Sequence, residues 1–228
     1  MSQTANTYCV FLVEDISGEI MLKIILDKIG LKAGCYEIHH YKGIGRIPKN
    51  LKKTDSDPKK RQLLSQLPRL LTGFTNRYQS VDYAMFVLCD LDERCFKEFR
   101  QELLKVAHNC KSQARTHFII SVKEMEAWFL GDFDAIKKIY PLAKQKKKYK
   151  ESNHGNWETL ADAIKKGWSK DLHKQKETEG YYVVGKLKNQ WAKEISPHLD
   201  VERNQSPCFC YFREKILKFL NSDKVNQQ

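Results

Sequence analysis

Hydrophobic and polar positions fall into blocks along the chain, and their order predicts an α/β protein. Residues 8–14 (YCVFLVE) form an almost unbroken apolar run, rich in aromatic and β-branched side chains, that stops at Glu14. That composition is what a strand buried on both faces requires. Asp15, Ser17 and Gly18 supply turn and cap residues, and Ile20, Leu22, Ile24, Ile25 and Ile29 give a broad apolar face to a helix over 19–28, with Gly30 as its C-terminal cap. A second short strand is expected over 36–41 (YEIHHY), so the chain opens as βαβ, which implies parallel pairing with a right-handed crossover. Residues 42–82 have a different character: KGIGRIPKNLKK is basic and glycine-bearing, and Leu63, Leu64, Leu67, Leu70 and Leu71 then take up helical spacing, which predicts a loop and a helical pair. Residues 83–89 (YAMFVLC) are the clearest strand of all, followed by Asp90, Asp92 and Glu93 and a helix over 94–107. A strand over 116–122 (THFIISV) leads into a helix expected to reach Pro141. Beyond it KQKKKYKESNHGNW reads as an exposed basic connector, with helices near 157–168, 184–195 and 209–220. The expected architecture is a mostly parallel α/β sheet flanked by helices over 1–140, carrying a helical insertion at about 42–82. Residues 141–228 form the connector and a helical C-terminal lobe packed on the sheet.

The carboxylates at the ends of these runs point to chemistry. An ionised carboxylate is costly away from water unless it is paired or binds a cation, and ligands of open α/β sheets gather at the carboxyl ends of the strands. Glu14, Asp90 and Asp92, delivered there by two strands, suit a hard divalent cation, Mg²⁺ or Mn²⁺. The D-L-D spacing puts both aspartates on the same side of an extended segment, with Leu91 pointing away. Turn chemistry or capping of the next helix accounts for Asp92 or Glu93, but not for Asp90. Glu19 either approaches the same pocket or complements the dipole of its helix, and Glu124 and Glu126, at the end of the strand over 116–122, face the same pair of readings. Trp128 and Phe129 read as core.

Composition adds a partner. Of 228 residues, 41% are apolar and 30% charged, the balance of a soluble domain, while the net charge of +12 favours a polyanion, nucleic acid before an acidic protein. No apolar run approaches the roughly 18 residues of a membrane span. MSQTANTY has neither the basic nor the apolar region of a secretory signal, and the seven cysteines form no CxxC pair, so a cytoplasmic protein with reduced thiols is expected. Lys144, Lys146, Lys147, Lys148 and Lys150, with Tyr149, are candidates to track a phosphate backbone, and a solvated linker is the equal alternative. Arg46 and the glycines of KGIGRIPK could touch phosphates too, although the loop lacks the GK[ST] of a P-loop. His39 and His40 point to opposite faces of one strand and make a poor metal pincer.

VEDISGEIMLKIIL, VLCDLDE and ISVKEMEAWFLGD together resemble the TOPRIM domain, and specifically a TOPRIM-like family of small bacterial proteins related to the OLD-family nucleases. GKLKNQWAKEISPHLDVERNQSPCFCYF, with its W-A-x-x-I and N-x-S-P-x-F elements, resembles the end of that family, so the likeness spans nearly the whole chain. It implies a Rossmann-like TOPRIM sheet in which Glu14 matches the glutamate after the first strand and Asp90 and Asp92 the D-x-D that hold Mg²⁺ for phosphoryl transfer. Glu124, Glu126, Trp128, Leu130 and Asp132 match E-x-E-A-W-x-L-x-D. The family pattern places glycine after the glutamate and an acidic residue four positions on; here Asp15 and Gly18 stand there, which leaves Glu19, Glu124 and Glu126 as candidates for a second metal position. The resemblance implies a nuclease acting on DNA or tRNA-like RNA with one or two divalent ions. With two, roughly 3.5–4 Å apart, one would activate water and the other stabilise the leaving oxygen. It implies Glu14, Asp90, Asp92 and Glu126 as catalytic candidates and a downstream lysine, Lys186 or Lys188, of which a solvated pair is the plainer reading. It also implies a bacterial anti-phage setting with an ABC- or AAA-type ATPase partner. A TOPRIM-like subunit that binds nucleic acid or the ATPase without cutting is the alternative.

Overall fold

The two longest apolar runs become the two central strands. β1 (Tyr8–Val13) is buried at every position from Cys9 onward and β3 (Tyr83–Asp90) from Tyr83 through Cys89, as strands covered on both faces must be. β2 (Tyr36–His40) and β4 (Arg115–Ser121) flank them, giving a parallel sheet of order β2-β1-β3-β4 among the described residues. The computed structural model describes residues 8–49, 51, 61–112, 114–122, 124–145 and 155–225, with the backbone alone for 222–225. The strand order reverses between β1 and β3, the point at which open parallel sheets leave a crevice at their carboxyl ends. That crevice is where Glu14 and Asp90 stand.

α1 (Ile16–Ile29) starts earlier than its apolar spacing predicts because Asp15 caps it, its Oδ1 accepting the Gly18 N–H at 2.9 Å, and it ends at Gly30 with φ 94°. The segment between β2 and β3 contains one helix, α2 (Leu63–Arg77), among its described residues, where a helical pair was expected. α3 (Phe96–Asn109) follows β3. The helix expected to run on to Pro141 is broken into α4 (Ala127–Leu130) and α5 (Phe133–Ile139). The reason is tertiary: at Gly131 a Cβ would fall 2.3 Å from Asn204 Oδ1 and 2.7 Å from the Ser206 nitrogen, so the C-terminal chain docks against that turn.

The C-terminal lobe holds α6 (Asn156–Ile164), α7 (Trp168–Glu179), α8 (Tyr182–Ile195), a 3-10 turn (Ser196–His198) and α9 (Pro207–Val225). α7 escapes the apolar pattern because Ser169 and Leu172 are its only buried residues. One face of the sheet, with Phe11 and Phe86, packs against α1 and the lobe in a single cluster that includes Trp128, Trp157, Trp191, Phe209 and Phe212. The other face, with Val10, Leu12, Met85 and Val87, packs against α2 and α3. Sheet and lobe therefore share one core. None of the described helices is long and apolar enough to cross a membrane.

Candidate functional site

Parallel pairing of β1 with β3 ends with Val13 beside Leu88, so Glu14 leaves the sheet level with Cys89, one residue short of Asp90, and its carboxylate meets the Asp90 backbone. Glu14 Oε2 and Asp90 Oδ1 are both buried and have no hydrogen-bond partner. Few buried polar atoms are left in that state, and each calls for an explanation. Burial first, then the Asp15 and Asp92 carboxylates, push Glu14 up to about 7 against the pull of Lys188 and the Asp90 backbone. Burial and the Glu14 charge hold the Asp90 carboxyl well above its ordinary range, again against Lys188. Two acids competing for one dry space is the situation in which a proton or a cation is retained.

Asp92 departs from the extended geometry expected of D-L-D. The ladder with β4 closes at Asp90 beside Ser121, the Leu91 N–H bonds the Ser121 carbonyl at 2.8 Å, and the chain then turns at Asp92 with φ 52°. A short polar side chain tolerates that left-handed conformation best. Asp92 is exposed, and its charge reaches Glu14. The N-cap position of α3 falls to Cys95, which makes no side-chain bond there. Glu19 is engaged elsewhere: Lys23 Nζ donates to it at 2.5 Å and His40 Nδ1 meets its other oxygen. Burial would raise its pKa, but those two partners outweigh it and hold the carboxyl below the usual range. His39 and His40 have separate partners, Glu37 and Glu19, as two faces of one strand dictate.

The carboxylates following β4 are occupied. Glu124 accepts Lys188 Nζ at 2.9 Å through one oxygen and the Trp157 N–H at 3.0 Å through the other, capping the start of α6. Asn156 Nδ2 bonds the Val122 and Glu124 carbonyls. Glu126 is 3% exposed and lies 3.3 Å from Lys188 Nζ; burial raises it to about 7 despite the lysine, with Glu124 and Asp15 adding to the rise. Burial would lower the Lys188 ammonium, but Glu126, Glu124, Tyr181 and Asp90 outweigh it and hold the group charged. Of the two lysines in GKLK, then, Lys188 faces the carboxylates, whereas Lys186 is exposed. The helical period explains this: Val184, Leu187, Lys188, Trp191, Ala192 and Ile195 form the buried face of α8. A lone lysine on an apolar face was the signal in the sequence.

Among the described residues, no group of three or more His, Cys, Asp and Glu side chains is placed to hold a metal ion. Glu14 and Asp90 together supply two unsatisfied oxygens, a donor pair that fits Mg²⁺, which keeps several waters and takes one or two protein carboxylates.

Beside the pair runs the basic loop after β2. The Tyr41 and Gly43 N–H groups bond the Val13 and Glu14 carbonyls at 3.0 Å, and Ser65 Oγ holds the Arg46 backbone. Gly45, at φ 68°, lies so close to α2 that a Cβ would fall 2.6 Å from Gln62 Cβ. Lys42, Arg46 and Lys49 are exposed along this loop. Arg94, which the sequence did not single out, holds this loop: Nη2 donates to the Gly45 carbonyl at 3.4 Å, the guanidinium lies 4.6 Å from the centre of the Phe99 ring, and Nη1 is buried without a hydrogen-bond partner. Lys144 is exposed and its N–H bonds Ala163, while Lys146, Lys147, Lys148 and Lys150 lie outside the described residues.

The remaining motif residues are structural. Asn204 Nδ2 donates to the Trp128 carbonyl at 2.7 Å, its Oδ1 accepts the Ser206 N–H, and Asp132 accepts the Asp200 N–H at 2.6 Å. Trp128, fully buried, meets the Phe209 ring edge-on at 5.1 Å. Two surface depressions around Asp132, Lys138, His198 and Arg203 include none of Glu14, Asp90, Glu126 or Lys188. No curated protein and no solved structure matches the chain. The model of one family, described as a domain of unknown function (DUF4276), matches residues 13–217, a stretch that takes in Glu14, Asp90, Lys188 and Asn204, and the chain belongs to that family.

Proposed function

We propose that the protein is a metal-dependent nuclease, hydrolysing phosphodiester bonds of DNA or tRNA-like RNA at the carboxyl ends of β1 and β3. One observation carries this reading: two adjacent strands deliver Glu14 and Asp90 to one buried place, each with an oxygen that nothing in the protein satisfies. Such a pair is costly unless a proton or a cation joins it. Glu14 and Asp90 would hold Mg²⁺ or Mn²⁺, which when bound supplies charge neutralisation at a phosphate and a more acidic water. Lys188 fixes Glu124 and Glu126 beside them and keeps the acidic cluster from carrying its full charge. Lys42, Arg46 and Arg94 line an approach for a phosphate backbone, in keeping with the net charge of +12. The TOPRIM resemblance adds an ATPase that restrains or licenses cleavage.

The test is incubation of the protein with plasmid and with total tRNA, in Mg²⁺ or Mn²⁺, with and without the ATPase. Cleavage of one substrate is expected, lost in Asp90→Ala and in Glu14→Gln. An Asp90→Ala variant that cuts as well as wild type, or a wild type that cuts neither, defeats the reading. A second reading, a subunit that binds nucleic acid without cutting it, is favoured by the engagement of Glu19 with Lys23 and His40, which removes one candidate for a second metal position. It predicts salt-dependent binding in the same assay with no cleavage.

A further inference from the structure

Tyr181 is 54% exposed and Tyr182 64%, two adjacent aromatic side chains open to water at one place on the lobe. They sit at the corner where α7 ends at Gly180, φ 94°, and α8 begins with Tyr181 as its N-cap. This corner overlooks the carboxylates. Tyr181 lies seven residues before Lys188, two turns along one face of α8, and helical side chains lean toward the N-terminus, so Lys188 reaches back toward it. Burial first, then the Glu124, Glu126 and Asp15 charges, raise the Tyr181 hydroxyl against the pull of Lys188, so the hydroxyl end faces the carboxylates while the rest of the side chain is open to water. Ile16, next to Asp15, is itself 44% exposed. Lys176 Nζ lies 4.9 Å from the centre of the Tyr181 ring, placing a cation against the aromatic surface.

An exposed ring beside a cation, at the rim of a site built for phosphodiester chemistry, has the composition of a single-strand platform: the ring stacks a base of any identity and the cation meets the backbone. A base inside an intact duplex has no free face to offer. We propose that Tyr181 stacks an unpaired base, and that the substrate reaches the Glu14–Asp90 edge as a single strand or with a nucleotide splayed out of a helix. This rests on the nucleic-acid reading of the site and narrows its substrate class.

The experiment measures binding in Ca²⁺ in place of Mg²⁺, with 2-aminopurine in a single-stranded oligonucleotide and in the matching hairpin stem, as DNA and as RNA. Wild type and Tyr181→Phe should quench the single-strand fluorescence and bind with equal affinity. Tyr181→Leu should lose the quenching and bind the single strand about 5- to 150-fold more weakly, with hairpin binding unchanged. Equal single-strand binding by Tyr181→Leu and wild type overturns the proposal, as would happen if this surface served a protein partner. So does a Tyr181→Phe loss as large as that of Tyr181→Leu, which would assign the effect to the hydroxyl, and so does a wild type that binds no single strand. Because quenching is read without cleavage, a protein that stacks but never cuts sustains this inference while defeating the nuclease reading.

Discussion

Two sets of carboxylates reach the same edge of the sheet and are treated in opposite ways. Those that follow β4 are engaged: Glu124 by Lys188 and the Trp157 N–H, and Glu126 by Lys188. At the ends of β1 and β3, Glu14 and Asp90 each retain a buried oxygen without a hydrogen-bond partner. Burial is similar in the two sets, so burial alone does not mark a site. The difference is satisfaction: a satisfied buried acid holds the fold together, and an unsatisfied one is open to a ligand.

The largest effect expected of a single change is at the satisfied set. Lys188→Met leaves Glu124 and Glu126 buried without their cation and should cost about 3–5 kcal/mol in urea unfolding at alkaline pH. The loss should shrink in acid, where Glu126, already near 7, takes up a proton. A loss under about 1 kcal/mol would mean that the pair behaves as a solvated one.

Next comes the unsatisfied set. Mn²⁺ at 100 times its Kd should add about 2.7 kcal/mol, or roughly 5–10 °C in Tm. The gain should be larger above pH 7 than below it, because Glu14 titrates near 7 and the cation must displace its proton. Glu14→Gln with Asp90→Asn should abolish the gain, whereas Glu124→Gln should leave it; the reverse outcome would exchange the roles of the two sets. Without cation, the folded state keeps protons on Glu14 and Glu126 that the unfolded chain releases above 4.5. Their contribution to stability therefore falls as pH rises from 4.5 to about 7, and the double substitution should flatten part of that slope.

Two smaller effects complete the comparison. Asn204→Ala removes the bracket between the Trp128 carbonyl and the Ser206 N–H and should cost about 1–3 kcal/mol with no change in the Mn²⁺ shift. Glu19→Gln weakens the pairs with Lys23 and His40 and should cost about 0.5–1 kcal/mol. If Glu19→Gln instead removed the Mn²⁺ shift, Glu19 would belong with the unsatisfied acids.

β1 and β3 were legible as strands because a strand covered on both faces needs apolar residues at consecutive positions, and YCVFLV and YAMFVLC meet that need. Glu14 and Asp90 were legible as site candidates because each ends such a run. α7 was not, since a helix with two buried residues carries almost no periodic signal. The break at Gly131 was hidden because its cause, Asn204, lies far along the chain. The turn at Asp92 was hidden because alternation holds only while the backbone stays extended, and its φ of 52° ends that regime.

By itself, then, the sequence determined the parallel core, the edge at which acids accumulate and the surplus of positive charge, all of which follow from local pattern and composition. Only the tertiary structure decided which acids are neutralised and which are left open. Hydrogen bonding and desolvation are settled between groups distant in sequence, as with Lys188 and Glu124, 64 residues apart. A local pattern can place a carboxylate at an edge, but it cannot report whether a donor from another helix arrives to meet it.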